Sequence, residues 1–262
     1  MIMGNVSERR KQPPQVGVSV VILALGPVPQ SDVGAGAASS GMGSTLWMPL
    51  VKRVRQPFLG QWALPGGGLR ADHSLEQSAY AALESTTSLH PKYLEQLYTF
   101  GDPARSHGGL PMVSIVYWAL VGEADGRIDF AGGDNVKWFP VNHLPELAFD
   151  HRTIVEYAMN RLRGKIESPD IATRLVGERF TLSQLHDVYE AIAGQRIDLA
   201  NFRRKMLASG LLEDTGEKLR IGRRRSTGTA GSRERICGPK PERHPNRTTL
   251  ELLSRMTTRY PH

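Results

Sequence analysis

Between Trp62 and Leu89 the chain reads WALPGGGLRADHSLEQSAYAALESTTSL, a run of glycines delivered directly into a helix-forming stretch. From Ser74 to Ser85 the residues Leu75, Ala79, Ala82 and Leu83 recur at helical spacing, which predicts one buried face. Segments of strand character surround this unit. Val16 to Leu25 (VGVSVVILAL) is continuously apolar yet too short to cross a bilayer, so it reads as a buried strand. Gly26 to Gly43, rich in Gly, Ser, Ala and Pro, reads as a long loop. Thr45 to Lys52 predicts a second strand, in which Pro49 argues for an edge or a bulge. Leu94 to Phe100, Met112 to Val121 and Val136 to Val141 supply further strands. Asp150 to Arg163 then predicts a helix through Ile154, Tyr157, Ala158 and Leu162.

The layout of Trp62 to Leu89 resembles a Nudix box, G-x5-E-x7-R-E-U-x-E-E-x-G-U with U a bulky aliphatic. In that pattern the loop approaches a diphosphate and the helix presents glutamates to a divalent metal. With Gly67 as the first glycine, His73 stands at the first Glu, Ala81 and Ala82 at Arg-Glu, Ser85 and Thr86 at Glu-Glu, and Ser88 at the last glycine. Magnesium takes oxygen ligands and is usually held beside substrate phosphates by one or two carboxylates. Neither Ser nor Thr supplies that charge. Without a metal to polarise phosphoryl oxygens and generate hydroxide, pyrophosphate hydrolysis loses its main source of rate. Glu76 and Glu84 are acids nearby that can share a helix face, as two metal ligands or as part of an ordinary solvated surface. His73, with no carboxylate partner in view, reads as a surface residue. The resemblance implies an α/β fold, a Nudix-like α/β/α sandwich kept for binding, with no catalytic residues and no metal site.

The formal charge of +7 is unevenly placed. Residues 1–200 hold 18 Lys/Arg against 20 Asp/Glu, whereas residues 201–262 hold 15 against 6. A basic region appended to a near-neutral domain predicts a polyanionic partner, nucleic acid before membrane. No apolar run approaches twenty residues and no secretory leader is evident, which predicts a soluble cytoplasmic protein with no membrane partner. Cys237 is the only cysteine, which excludes an intramolecular disulfide.

Residues 1–14 read as a disordered leader, 15–165 as the Nudix-like domain, 166–179 as a linker, 180–225 as a second domain and 226–262 as a basic tail. In the second domain Thr181 and Gln184 form a Thr-x-x-Gln capping box with Phe180 and Leu185 as its staple, so a helix should start at Leu182 and end near Gly194. Asp198 can cap a second helix over Leu199 to Ser209, stopped by Gly210. Leu211-Leu212 and Leu219 to Ile221 flank Asp214-Thr215-Gly216-Glu217, a hairpin signal. Helix, turn, helix and basic hairpin outline a C-terminal winged helix-turn-helix. Leu199, Phe202 and Met206 share the apolar side of its second helix, leaving Asn201, Arg204 and Lys205 opposite and Arg203 at the margin. Asn pairs with adenine and Arg with guanine in the major groove, while Lys meets phosphate. Arg220, Arg223, Arg224 and Arg225 fall where a wing would touch the phosphate backbone. Thr181 and Gln184 complete the candidate DNA-binding set.

The WALPGG frame, YLEQLYTFGDPAR, VKWFP, LAFDH, RLRGKIE, FTLSQLHDVYEAI and NFRRKML occur in that order, and together resemble the NrtR family of Nudix-related transcriptional regulators of NAD metabolism over residues 16–222. The resemblance implies a nucleoid-associated homodimeric repressor of NAD biosynthesis genes on a palindromic double-stranded DNA operator. It implies a nucleotide effector, ADP-ribose, NAD or a relative, that releases DNA, and no required cofactor. Past Gly222 the chain departs from the family, which finishes the wing with an aromatic-containing strand. In the sensor, Gly66 and Gly67 can bring backbone N–H groups close to a diphosphate. Arg105 matches a basic family position and is the first choice for a bidentate phosphate contact, with Arg70 second. Phe100, Trp138 and Phe139 are candidates for the ligand wall or for plain core. Lys137 should point opposite to Trp138. Asp150 and His151 are ligand candidates, though Asp at a helix start is equally a cap.

Two rival functions carry their own expectations. A Nudix hydrolase with unusual metal ligands would depend on Glu76 and Glu84. A constitutive basic nucleic-acid-binding protein would lose binding on truncation after Gly222.

Overall fold

The computed structural model describes residues 13–29, 44–106, 111–122, 125, 128–166, 169–177, 179–210, 212–220 and 233–239. Most of the Gly26–Gly43 loop, most of the leader and the chain after Pro239 lie outside the described residues. In chain order the elements are β1 Gln15–Pro27, β2 Ser44–Lys52, β3 Trp62–Ala63, β4 Gly66–Gly68, α1 Leu75–Thr87, β5 Tyr93–Phe100, β6 Met112–Val121, β7 Val136–Pro140, α2 His151–Lys165, α3 Pro169–Val176, β8 Phe180–Thr181, α4 Leu182–Ala193, α5 Leu199–Ala208, β9 Leu212–Arg220 and β10 Arg233–Pro239.

A mixed sheet runs in the order β3-β2-β1-β6-β5, with β4 paired to β1 and β7 to β2. β1 and β6 pair in parallel over ten registered positions, Gln15↔Met112 to Ala24↔Val121. Along β1 the residues Val18, Val20, Ile22 and Ala24 pack with Ala79 and Leu83 of α1. Val21 and Leu23 face the other way, into a core shared with Ile154, Ala158 and Leu162 of α2. In β6, Tyr117, Ala119 and Val121 join the first cluster and Val116, Trp118 and Leu120 the second. Both faces are covered, which is why these strands read as unbroken apolar runs. Pro49 sits where β2 has parted from β1, whose last partner is Trp47, and has not yet met β3 at Val51. Its other neighbour is Trp138 of β7, so the residue is edge-like on one side only.

The glycine run is itself a short strand. Gly66, Gly67 and Gly68 pair with Ser19, Val18 and Gly17 of β1. A Cβ at Gly66 would stand 2.3 Å from the Val18 carbonyl oxygen, so the strands can approach this closely only with glycine there. α1 opens on a capping box of Ser74 and Gln77 and closes at Ser88, whose φ of 54° is left-handed. That backbone explains why the box pattern has glycine at this place.

The second unit confirms the cap-based reading and corrects the wing. α4 starts at Leu182 behind the Thr181–Gln184 capping box and stops at Gly194 with φ 69°, and Asp198 caps α5. Leu199 is on the apolar side in sequence yet stands 37% exposed. Asp214 to Glu217 is not a hairpin turn. β9 runs straight through it and pairs with β10, with Arg235 opposite Lys218 and Cys237 opposite Asp214. The turn-type residues form a bulge instead: Gly216 has φ 76°, its N–H donates to Asp214 Oδ1, and Thr215 Oγ1 donates to the Ile236 carbonyl. The wing's second strand is therefore Arg233–Pro239, inside the stretch read as tail, and Cys237 is buried. β10 also pairs with β8, giving a three-stranded sheet β8-β10-β9. The stretch read as a linker contains α3, whose Ile171, Ala172 and Leu175 are buried.

One core cluster crosses the boundary between the units. It joins Leu46, Met48 and Leu50 of β2 to Leu175, Phe180, Leu185, Val188, Ile192 and Phe202. The four tryptophans all lie in the first 138 residues and so report on the sheet domain alone. Leu185→Ala is expected to cost about 2–5 kcal/mol and to move the tryptophan fluorescence transition in urea by that amount. An unmoved tryptophan transition would show that the two units unfold independently.

Candidate functional site

The glycine strand forms one wall of a cavity of about 400 Å³ lined by Gln15, Gly17, Ser19, Arg53, Gln56, Pro57, Ala63, Leu64, Gly66, Gly67, Gly68, Arg105, Met112, Ser114, Phe149 and His151. Its volume lies in the range of small-molecule sites. Gly66, Gly67, Arg105 and His151 thus come together from three separate segments of the chain.

Arg105 sits in a 3₁₀ turn, Pro103–Ser106, and its side chain is only 5% exposed. Nε and Nη2 donate to Asp150 Oδ2 and Oδ1, both at 2.9 Å. Nη1 donates to Ser114 Oγ at 2.8 Å and to the Phe100 and Met112 carbonyls at 3.2 and 3.3 Å. The fork expected to grip a phosphate grips Asp150, because a buried guanidinium requires a carboxylate nearby. Asp150 is the N-cap residue of α2, but it makes no side-chain cap bond. Its role is the ion pair. Burial alone would raise its carboxyl, but the hydrogen bonds and charge of Arg105 outweigh that and hold it below the usual range.

Next in the chain, His151 accepts the Leu64 N–H on Nδ1 at 3.0 Å. Burial pushes its pKa down from 6.5 to about 4, so the ring is neutral at pH 7. Phe149 precedes this pair with a left-handed φ of 56°, and the Arg53 guanidinium lies 4.5 Å from its ring centroid. A bulky residue held in that conformation is strained, and such residues cluster at ligand sites.

The remaining ligand candidates lie elsewhere. Arg70 pairs with Asp72 at 3.0 and 2.8 Å on the exposed surface, and neither residue lines the cavity beside the glycine strand. Phe100 contributes only its carbonyl to Arg105, while its ring packs on Tyr98 and Tyr157. Trp138 is buried against Phe130 on the α1 face and lines a separate cavity of about 200 Å³. Lys137 is exposed on the opposite face, as strand alternation requires. Phe139 packs edge-on against Trp62. For Lys137 and Trp138 the strand's parity was readable, but not which face carries the cavity.

A second cavity of about 340 Å³ shares Arg53, Ala63, Leu64 and Gly66 with the first and extends to Val51, Lys52, Val54, Arg55, Ser85, Thr86 and Val136. Ser85 and Thr86 are the positions where the Nudix pattern carries glutamates. Their hydroxyls donate back to the Ala82 carbonyl at 3.1 and 2.6 Å. Among the described residues no carboxylate lines either cavity, and Glu76 and Glu84 are exposed and line neither. This donor set does not fit magnesium, which calls for carboxylate oxygens. Lys52, Arg53 and Arg55 were missed in the sequence, since basic residues after a strand read as ordinary surface.

On the second unit, Asn201, Arg204 and Lys205 are exposed along α5, with Arg204 Nη2 donating to Asn201 Oδ1 at 2.9 Å. Arg203 is half-buried and donates to Ser183 Oγ at 3.1 Å. Thr181 is fully buried and its hydroxyl accepts the Gln184 N–H, so its side chain is withdrawn from any DNA surface. The Gln184 side-chain oxygen is likewise held by the Thr181 N–H at 2.8 Å. Arg220 closes β9, but its side chain, like all of Arg223, Arg224 and Arg225, lies outside the described residues.

Two predictions follow from the buried trio. The unfolded chain binds a proton on His151 that the folded chain refuses between pH 6.5 and about 4. The stabilisation is therefore complete above pH 6.5 and is lost as pH falls toward 4, by on the order of 3 kcal/mol. His151→Asn, which retains an acceptor for the Leu64 N–H, should flatten this slope in urea titrations. Asp150→Ala leaves the guanidinium unpaired and is expected to cost about 3–5 kcal/mol at neutral pH, read from the same midpoints.

Residues 172–228 match the family model for the NrtR DNA-binding winged helix domain, and residues 35–158 match that for the NUDIX domain. The chain is 31% identical over 179 residues to the ADPR responsive transcriptional repressor NtrR of Acinetobacter baylyi, covering 67% of this chain and 71% of that one. It is 33% identical over 118 residues to an ADP-ribose pyrophosphatase of Methanocaldococcus jannaschii, covering 44% of this chain and 67% of that one. The crystal structure of Shewanella oneidensis NrtR complexed with a 27mer DNA superposes with a TM-score of 0.66 at 32% identity, covering 86% of this chain and 94% of that one. With both domains matched in order and the likeness running through nearly the whole of a solved relative, the chain belongs to the NrtR family.

Proposed function

We propose that this protein is a DNA-binding transcriptional repressor of NAD biosynthesis genes, with ADP-ribose or a related NAD metabolite as effector in the Nudix-like domain. The observation that carries the reading is the direct packing of a winged helix, with Asn201, Arg204 and Lys205 exposed on α5, against a sheet whose other end holds a nucleotide-sized cavity. The relatives' names support the effector and the DNA partner: one is an ADPR responsive repressor, another was solved with DNA. The protein acts as a homodimer, whose twofold axis calls for half-sites about one helical turn or its multiples apart. Effector binding shifts the spacing of the reader units, a coupling typically worth about 1–3 kcal/mol.

In the same reading the Nudix-like domain turns over no pyrophosphate. The hydrolase alternative has an archaeal pyrophosphatase relative in its favour. Against it stand the cavities without carboxylates and the outward position of Glu76 and Glu84.

The test is fluorescence anisotropy on a labelled palindromic promoter fragment and a scrambled control at physiological salt. Selective binding that ADP-ribose weakens is expected; equal binding to both DNAs with no ligand response would sink the proposal. Arg204→Ala should cost about 1–3 kcal/mol on the operator and relax preference at one base. The tail-driven alternative predicts instead that truncation dominates, and the cut must follow Pro239, because ending the chain at Gly222 removes β10 and its buried Cys237. Magnesium-dependent phosphate-bond cleavage of ADP-ribose, lost in Glu76→Gln with Glu84→Gln, would establish the hydrolase alternative.

A further inference from the structure

The cavity beside β2 and α1 occupies the place where the Nudix pattern puts a carboxylate-held metal, yet its lining has the opposite charge. Lys52, Arg53 and Arg55 contribute cations, and Ser85 and Thr86 are neutral. Lys52 and Arg55 are exposed and make no ion pair among the described residues. Arg53 is fixed in place: Nε donates to the Pro57 carbonyl at 2.8 Å, Nη2 reaches the Arg55 carbonyl at 3.4 Å, and the guanidinium lies over Phe149. Its partners are neutral, so its charge is not cancelled as that of Arg105 is by Asp150. Burial draws its pKa below the ordinary arginine value, as expected for a cation without a counter-ion.

A divalent metal in a phosphate site neutralises the phosphate oxygens and bridges them to protein carboxylates. With the carboxylates replaced by hydroxyls, the metal has no anchor and the phosphate has no anion to repel it. Three cations from one short segment then supply the neutralising charge directly, and guanidinium groups suit phosphate geometry. Arg53 and Gly66 line both cavities, so an anion here would be continuous with a ligand filling the larger one.

We propose that this cavity is a metal-independent diphosphate site, with Lys52, Arg53 and Arg55 in the role of the divalent cation. The proposal rests on the sensor reading only for the identity of the larger ligand. It concerns this chain's basic segment and not the loop glycines.

The experiment is isothermal titration calorimetry on the full chain with two probes, inorganic pyrophosphate in EDTA and ADP-ribose with either EDTA or magnesium. Pyrophosphate is expected to bind in EDTA, and ADP-ribose to bind equally with and without magnesium. Lys52→Ala combined with Arg55→Ala should weaken both by at least about tenfold, since each removes a charge-assisted contact. Neither side chain carries an ion pair among the described residues, and a far-ultraviolet circular dichroism melt checks that the fold is kept. Ser85→Glu with Thr86→Glu, which restores the acids, should weaken pyrophosphate in EDTA by at least about tenfold. Pyrophosphate binding that depends on Lys52 and Arg55 while ADP-ribose fails to bind supports the site and removes ADP-ribose as effector. ADP-ribose binding that magnesium strengthens about tenfold, or that the double alanine variant leaves unchanged, overturns the site and leaves the sensor standing. No pyrophosphate binding in EDTA also overturns it.

Discussion

A guanidinium buried to 5% exposure must find its counter-ion inside the protein, and Arg105 finds it in Asp150, 45 residues further along the chain. This bond ties the 3₁₀ turn after β5 to the N-cap residue of α2, and the remaining donor of Arg105 holds Phe100, Met112 and Ser114 in place. The wall of the larger cavity follows from it. Because Asp150 is anchored, His151 is held with Nδ1 against the Leu64 N–H, and the strand leading into the glycine run is fixed from behind. An ion pair of this kind adds little net stability compared with an apolar replacement, but it specifies one arrangement and makes removal of either partner costly.

The two cavities divide the electrostatics of the site. In the larger one Arg105 is already neutralised by Asp150, and the space is shaped by backbone, aromatic rings, a neutral imidazole and the shared Arg53. In the smaller one Lys52, Arg53 and Arg55 have no ion-pair partner among the described residues. The Nudix architecture is thus kept in its strands, its glycine approach and its capped helix, while the charge at its centre is inverted. Loss of acids on α1 and the presence of Lys52, Arg53 and Arg55 on the opposing wall are complementary: either change alone would leave like charges or an unbalanced metal.

Much of this was legible locally. Both reader helices announced their first residues through side-chain caps, and β6 through its β-branched and aromatic run, because those signals act within a few residues. The missing acids were legible as gaps in a fixed spacing. What escaped depended on partners far away. Arg105 read as a phosphate ligand because its carboxylate lies 45 residues on. Asp214 to Glu217 read as a turn because a bulge uses the same residue types, and only the arrival of Cys237 opposite Asp214 decides between them. The basic residues at the end of β2 gave no signal, since their meaning comes from α1 facing them.

α2 bears on both ends of the molecule. Its N-cap Asp150 holds Arg105 and its first residue His151 lines the cavity, and near its last turn the Arg163 Nε donates to the Ile192 carbonyl of α4. With 15 residues it is about 22 Å long at a rise of 1.5 Å per residue. It is therefore a lever whose short arm is gripped by the buried ion pair. A tilt of about 5° at that end sweeps the far end through about 2 Å over this length, a displacement comparable with the helix shifts that distinguish regulatory states in other proteins. A tilt of that size at the cavity end would reach α4 through the Arg163–Ile192 contact.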